Sequence, residues 1–150
     1  DEDSLVDGRP IRQPITDSAE INAAFDSITY QKGGQTIRMM SSFVGDEAWQ
    51  KGVRLHLTRN WHGTATADNF FANIAEGAGD PRLVPAFRSF VDQQGVPIVT
   101  YKAAPGGAYT LEQQRFRLIG VETPDAQWKI PVCAASGEGR QCELLDSKAG

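Results

Sequence analysis

Few side chains in these 150 residues have the type and setting to take part in a reaction, and Tyr30 stands first among them. It lies in the run Phe25-Asp26-Ser27-Ile28-Thr29-Tyr30-Gln31-Lys32-Gly33-Gly34, where Tyr-x-Lys-Gly heads an amphipathic helix. A phenol titrates near pH ~10 and so remains a neutral hydrogen-bond donor at pH 7. Aimed at a reaction centre, such a donor can meet an oxyanion that exists only as the transition state forms. By residue type alone the plainer role is an aromatic wedge that packs the helix entrance. Asp26 is placed to cap the helix that presents Tyr30. Lys32 can pair with Asp26 or with a distant carboxylate, although a solvated lysine is the commoner outcome. Gly33 and Gly34 are costly inside a helix unless something needs the space, so they are expected to permit close backbone packing.

The remaining chemistry-bearing types are sparse. His56 and His62 are the two histidines, six residues apart rather than at the i, i+4 spacing that sets two metal ligands on one helical face. No His-Glu-x-x-His occurs, so no metal site is expected within this chain. Cys133 and Cys142 flank Ser136-Gly137-Glu138-Gly139, which reads as a hairpin loop. A four-residue loop there sets Ala135 opposite Arg140, Ala134 opposite Gln141 and Cys133 opposite Cys142, with Cβ atoms ~4.5 to 5.5 Å apart. The pair is either a disulfide, which would imply an oxidising compartment such as a periplasm or the extracellular space, or two half-buried thiols.

The elements that must position these residues follow from hydrophobic period. Residues 1 to 20 read as an irregular lead-in, interrupted by Gly8, Pro10 and Pro14. From Ile28 the spacing becomes helical, with Ile37, Met40 and Val44 on one stripe and Gly45 ending the helix. Asp46 can cap a second helix carrying Trp49, Val53 and Leu57 and ending near Asn60. Thr66 caps a third, with Asp68 in its first turn, Phe70, Phe71 and Ile74 buried, and Gly77 and Gly79 closing it. Pro85 suits the first position of a fourth, in which Phe87, Phe90 and Val91 face inward until Gly95. After Gly95 the period switches to 2. Strands are expected over Val96–Tyr101, ended by Pro105-Gly106-Gly107, then over 109–119 with a bulge near Gln113, over 128–134 and over 141–145. The expected class is α+β: a small four-helix unit with its lead-in at 1–95, then a partial antiparallel β part at 96–150.

Composition narrows the function classes. Forty per cent hydrophobic residues suffice for a core, while a net charge of −4 without a Lys/Arg cluster lacks the footprint of nucleic-acid binding. No apolar stretch approaches the ~20 residues that span a bilayer, and Asp1-Glu2-Asp3 carries neither the basic nor the apolar part of a signal peptide. A soluble chain is therefore expected.

The Tyr30 run resembles the segment that carries the catalytic tyrosine of the M1 gluzincin aminopeptidases. The likeness extends through Arg9-Pro10-Ile11, Ile37-Arg38-Met39-Met40, Gly45-Asp46-Glu47-Ala48-Trp49-Gln50-Lys51-Gly52, Thr64-Ala65-Thr66-Ala67-Asp68-Asn69-Phe70 and Gln94-Gly95-Val96-Pro97-Ile98-Val99-Thr100. Gln114-Arg115-Phe116 and Trp128-Lys129-Ile130-Pro131-Val132 resemble the first strands of the β-sandwich that follows the family's catalytic domain. The resemblance implies that residues 1–95 form the helical end of a thermolysin-like catalytic domain and residues 96–150 open the sandwich. It further implies a parent enzyme in which two His and a Glu hold zinc, a second Glu is the general base and Tyr30 stabilises the tetrahedral intermediate, with Asp26, Lys32 and Gly33 in support. The parent would cleave N-terminal residues from peptide substrates. This chain, lacking the ligands, would bind no zinc and be inactive without the remainder of the catalytic domain. Its open β edges would favour self-association. Two alternatives remain at this level: a non-catalytic helical and β-sandwich interaction module with Tyr30 in its core, and a catalytically dead M1-like relative.

Overall fold

The computed structural model describes residues 8–103, 108–137 and 139–147. Among these, five α-helices precede two small antiparallel sheets: α1 (Glu20–Ala23), α2 (Gly33–Val44), α3 (Asp46–Arg59), α4 (Ala67–Ala78), α5 (Leu83–Val91), β1 (Pro97–Ala103), β2 (Tyr109–Arg115), β3 (Ile130–Ser136) and β4 (Gly139–Leu145). A π-helical turn, Ile28–Lys32, runs into α2. The fold is the expected α+β mix.

Met40 faces the core from α2, but Ile37 lies 46 % exposed and Thr36 takes the buried place one turn before Met40. The hydroxyl of Thr36 donates to the Lys32 carbonyl at 2.8 Å, so its burial leaves no unpaired polar group. Gly45, at φ 83°, is a left-handed corner that closes α2 and opens α3. Asp46 is thus not the cap expected of it; it is the first helical residue, where its charge still complements the N-terminal dipole. In α3 the stripe of Trp49 and Val53 continues to half-buried His56, while Leu57 is 58 % exposed.

Thr66 caps α4 as its sequence predicts. Its hydroxyl accepts from the Asn69 amide at 3.2 Å and its own N–H donates to Asn69 Oδ1 at 3.0 Å, a reciprocal capping box. Gly79, left-handed at φ 68°, ends this helix, whereas Gly77 belongs to its buried interior. The helix pair α3/α4 explains why. A Cβ at Gly52 would stand 2.7 Å from Ile74 Cα, and one at Gly77 would stand 2.5 Å from Gly52 Cα. The two backbones cross where neither side carries a side chain. Gly77→Ala should therefore destabilise the protein by about 1–3 kcal/mol, read as a lower urea midpoint, despite alanine's better helix propensity. An unchanged midpoint would mean the helices are free to separate.

Pro85 is the third residue of α5 rather than the first; the first four N–H groups of a helix have no intrahelical acceptor, so its ring removes no bond. This helix stops at Val91, before Gly95. Phe87 stacks on Phe71 with centroids 4.6 Å apart, and Leu83, Ala86, Phe90 and Val91 are buried around them.

β1 and β2 pair in unbroken register from Pro97↔Arg115 to Ala103↔Tyr109, so the bulge expected near Gln113 does not form. Instead β2 ends at Arg115, and an irregular stretch follows. Gln113 is buried on the inner face, where it donates to the Trp128 carbonyl and accepts from the Trp128 N–H, both at 2.8 Å. The turn expected at Pro105-Gly106-Gly107 lies outside the described residues, as do residues 1–7 of the lead-in. β3 begins at Ile130, two residues later than predicted, and pairs with β4 in the expected register, Cys133 opposite Cys142, although Ser136 and Gly139 form a ladder pair instead of belonging to a four-residue loop. Met40, Phe71, Ile74, Leu83 and Phe87 share one buried cluster with Trp128, Ile130 and Leu145, so helices and strands enclose a common core.

Candidate functional site

Tyr30 is 66 % exposed. Its ring tilts against Phe25 at 6.3 Å between centroids, and the wedge that seals the helix entrance is Ile28 instead, which is buried. A π-helical turn widens the backbone by one residue and is frequent at functional sites; here it carries the phenol outward just before α2 begins.

Asp26 closes that turn. Its Oδ1 accepts from the Thr29 N–H at 2.9 Å and its carbonyl accepts from the Tyr30 N–H at 3.2 Å. Arg9, reaching in from the lead-in, pairs with the Asp26 carboxylate at 2.7 Å and also donates to the Thr29 hydroxyl at 3.1 Å and to the Ala24 carbonyl at 3.2 Å. The Thr29 N–H, with Arg9 beside it, holds the Asp26 carboxyl below its ordinary pKa. A depressed carboxylate stabilises the fold above its unfolded pKa, about 3.9, and that contribution is lost as pH falls through the lower folded value.

Lys32 is not left to solvent. Its Nζ donates to the Gln93 carbonyl at 3.0 Å, which ties the Tyr30 turn to the residues after α5. Gly33 does not serve close packing: a Cβ there would meet only Ile11 Cδ1 at 3.9 Å, and one at Gly34 would meet nothing within 4 Å. The close approach that the sequence suggested for this pair occurs at Gly52 and Gly77.

The histidines stand apart from Tyr30's turn in sequence and in contacts. His56 is half-buried with its ring edge-on to Phe70 at 5.2 Å and its Nδ1 3.3 Å from the Asn73 amide nitrogen. His62, exposed and at φ 55°, packs against Trp61 in the turn after α3. Among the described residues no three His, Cys, Asp or Glu side chains converge as a metal-ligand set. Cys133 and Cys142 are bonded through their sulfurs, with Cα atoms 4.1 Å apart. Arg140 of the same hairpin donates to the Ser42 carbonyl at 2.6 Å, fastening the hairpin to α2.

In the sequence Arg9 stands out only through the likeness of Arg9-Pro10-Ile11, which assigns it no role. Its partners around the Tyr30 turn lie 15 to 20 positions away in sequence, beyond any local spacing rule.

The sequence model described as "Peptidase family M1 domain" matches residues 1–93. "Aminopeptidase M1" of Arabidopsis thaliana is 35 % identical over 150 residues, covering 99 % of this chain and 17 % of that protein. "Probable aminopeptidase 2" of Sulfurisphaera tokodaii is 33 % identical over 130 residues, covering 87 % of this chain and 16 % of that protein. Among solved structures, that of Legionella pneumophila aminopeptidase A in complex with aspartic acid superposes with a TM-score of 0.66 over 96 % of this chain and 17 % of that one; at 22 % identity this shows the fold alone. The chain thus spans about one sixth of the length of these relatives. By family match and by identity across nearly its whole length, it belongs to peptidase family M1.

Proposed function

We propose that this chain is the part of an M1 zinc aminopeptidase that supplies the transition-state donor, the Tyr30 hydroxyl. Residues 1–95 are the helical end of the catalytic domain, in keeping with a family match over residues 1–93, and residues 96–150 are the opening strands of the following β-sandwich. The observation that carries the reading is the exposed phenol, lifted from the surface by a turn whose polar groups are internally paired. A core tyrosine would be sealed; this one is free to meet a ligand.

In this reading the phenol donates to the oxygen that gains charge as a peptide carbonyl becomes tetrahedral, and Asp26 and Lys32 hold the turn that aims it. Zinc, held by residues outside this sequence, would supply Lewis-acid chemistry and an activated water. The substrate class is peptides with a free N-terminal residue, as the names of the relatives suggest. Taken alone the chain hydrolyses nothing, and the two-stranded sheets of its described residues favour self-association along their edges.

The test is a paired assay of aminoacyl-anilide hydrolysis and zinc content. The full-length polypeptide carrying this sequence should turn over the anilide with stoichiometric zinc, and residues 1–150 alone should do neither. Turnover by the short chain, or none by the long one, would overturn the proposal.

A further inference from the structure

We infer that Arg9 is the positioning residue of the Tyr30 phenol, an inference that rests on the reading of Tyr30 given above. With its ring mostly in solvent beside a tilted contact to Phe25, Tyr30 takes its direction chiefly from its backbone. That backbone is a single π-helical turn, and the guanidinium of Arg9 bonds to groups just before it and within it. Nε reaches Asp26 Oδ2 at 3.1 Å, and Nη2 reaches Asp26 Oδ1 at 2.7 Å, the Ala24 carbonyl at 3.2 Å and the Thr29 hydroxyl at 3.1 Å. Nη1 donates to the carbonyls of Pro10 at 2.9 Å and Ile11 at 3.3 Å, which anchors the fork in its own strand of chain.

The geometry is a cross-brace. Ala24 lies before the turn, Asp26 caps it, and Thr29 immediately precedes the phenol. The Thr29 hydroxyl itself donates to the Ala24 carbonyl at 2.7 Å, so one guanidinium plane fixes three groups that are also linked to one another. Asp26 cannot do this alone, because its Oδ1 already serves the Thr29 N–H. Lysine cannot substitute: a compact ammonium lacks the planar fork that reaches a carboxylate, a carbonyl and a hydroxyl together. Arg9 and Asp26 are partly buried and Arg9 also serves three backbone carbonyls, so its loss should cost some stability as well, and the cycle with the Tyr30 hydroxyl is what separates positioning from folding.

The experiment is a double-mutant cycle in the full-length enzyme, reading kcat and KM for an aminoacyl anilide. Arg9→Gln should lower kcat about tenfold with KM within about twofold, since a small misplacement of a transition-state donor costs rate rather than binding. Arg9→Lys should recover little of it. Placed on Tyr30→Phe, the same Arg9→Gln change should cost less than about twofold, because the group it positions is already gone. Should Arg9→Gln fail to fold, Thr29→Val removes one arm of the brace and is read the same way. Equal losses with and without the Tyr30 hydroxyl, or an unchanged kcat in Arg9→Gln, would overturn the positioning role while leaving Tyr30 in place. An unchanged kcat in Tyr30→Phe alone would remove the underlying reading, and the inference with it.

Discussion

Tyr30→Phe in the full-length protein is expected to lower kcat by about 10²- to 10³-fold and to leave KM nearly unchanged. Removing one donor to a developing oxyanion costs about 2.7–4 kcal/mol of barrier, and the ground state, which lacks that charge, scarcely notices. The substitution deletes one oxygen atom. The ring stays, and with it the contact to Phe25; the backbone bonds to Asp26 do not involve the phenol. Because Tyr30 is exposed, the change should also leave the melting temperature where it is. A variant with normal kcat and a raised KM would instead assign the hydroxyl to ground-state binding.

The second large effect belongs to Trp128. Trp128→Ala should destabilise the protein by about 3–5 kcal/mol, the range for emptying a buried aromatic site. The indole is fully buried among side chains from both halves of the chain, including Met40, Phe87 and Leu145. Its backbone is clamped by the Gln113 amide, and the neighbouring Lys129 N–H donates to the Ser89 hydroxyl of α5 at 3.0 Å. Helical and strand signals should therefore be lost in one transition, shifted together to lower denaturant. If circular dichroism showed the helices melting at their original midpoint while only the sheets weakened, the two halves would not share a core.

Features fixed by neighbours in sequence were legible before any coordinates. The Thr66 cap needs Asn69 three residues on, the Gly45 corner needs a positive φ, and the Cys133–Cys142 register needs only a hairpin loop. Where tertiary contacts decide, period alone misled. Ile37 and Leu57 sit on plausible apolar stripes, yet a satisfied Thr36 and an Asn-bonded His56 occupy the inward places. A bulge was expected in β2 because Tyr109 and Leu111 fall on one parity and Phe116 and Leu118 on the other; the strand instead stops at Arg115, and the Gln113 amide faces in, paired with the Trp128 backbone. Glycine function was misplaced for a similar reason: Gly33 and Gly34 have room to spare, and the tight crossing at Gly52 and Gly77 depends on two helices that spacing cannot superimpose. At the candidate site Tyr30, Asp26 and Lys32 lie within seven residues and were found together. Arg9 was not, since the brace it forms exists only once the lead-in folds back over the turn.

The most direct measurement is the affinity of a tetrahedral, anionic peptide analogue for the full-length enzyme and for its Tyr30→Phe variant, set against the affinity of a product dipeptide for the same pair. The account predicts that the variant loses about 10²-fold or more in affinity for the analogue and binds the dipeptide as before. Equal affinities of the two proteins for the analogue would contradict it, for the phenol would then make no contact that appears only at the transition state.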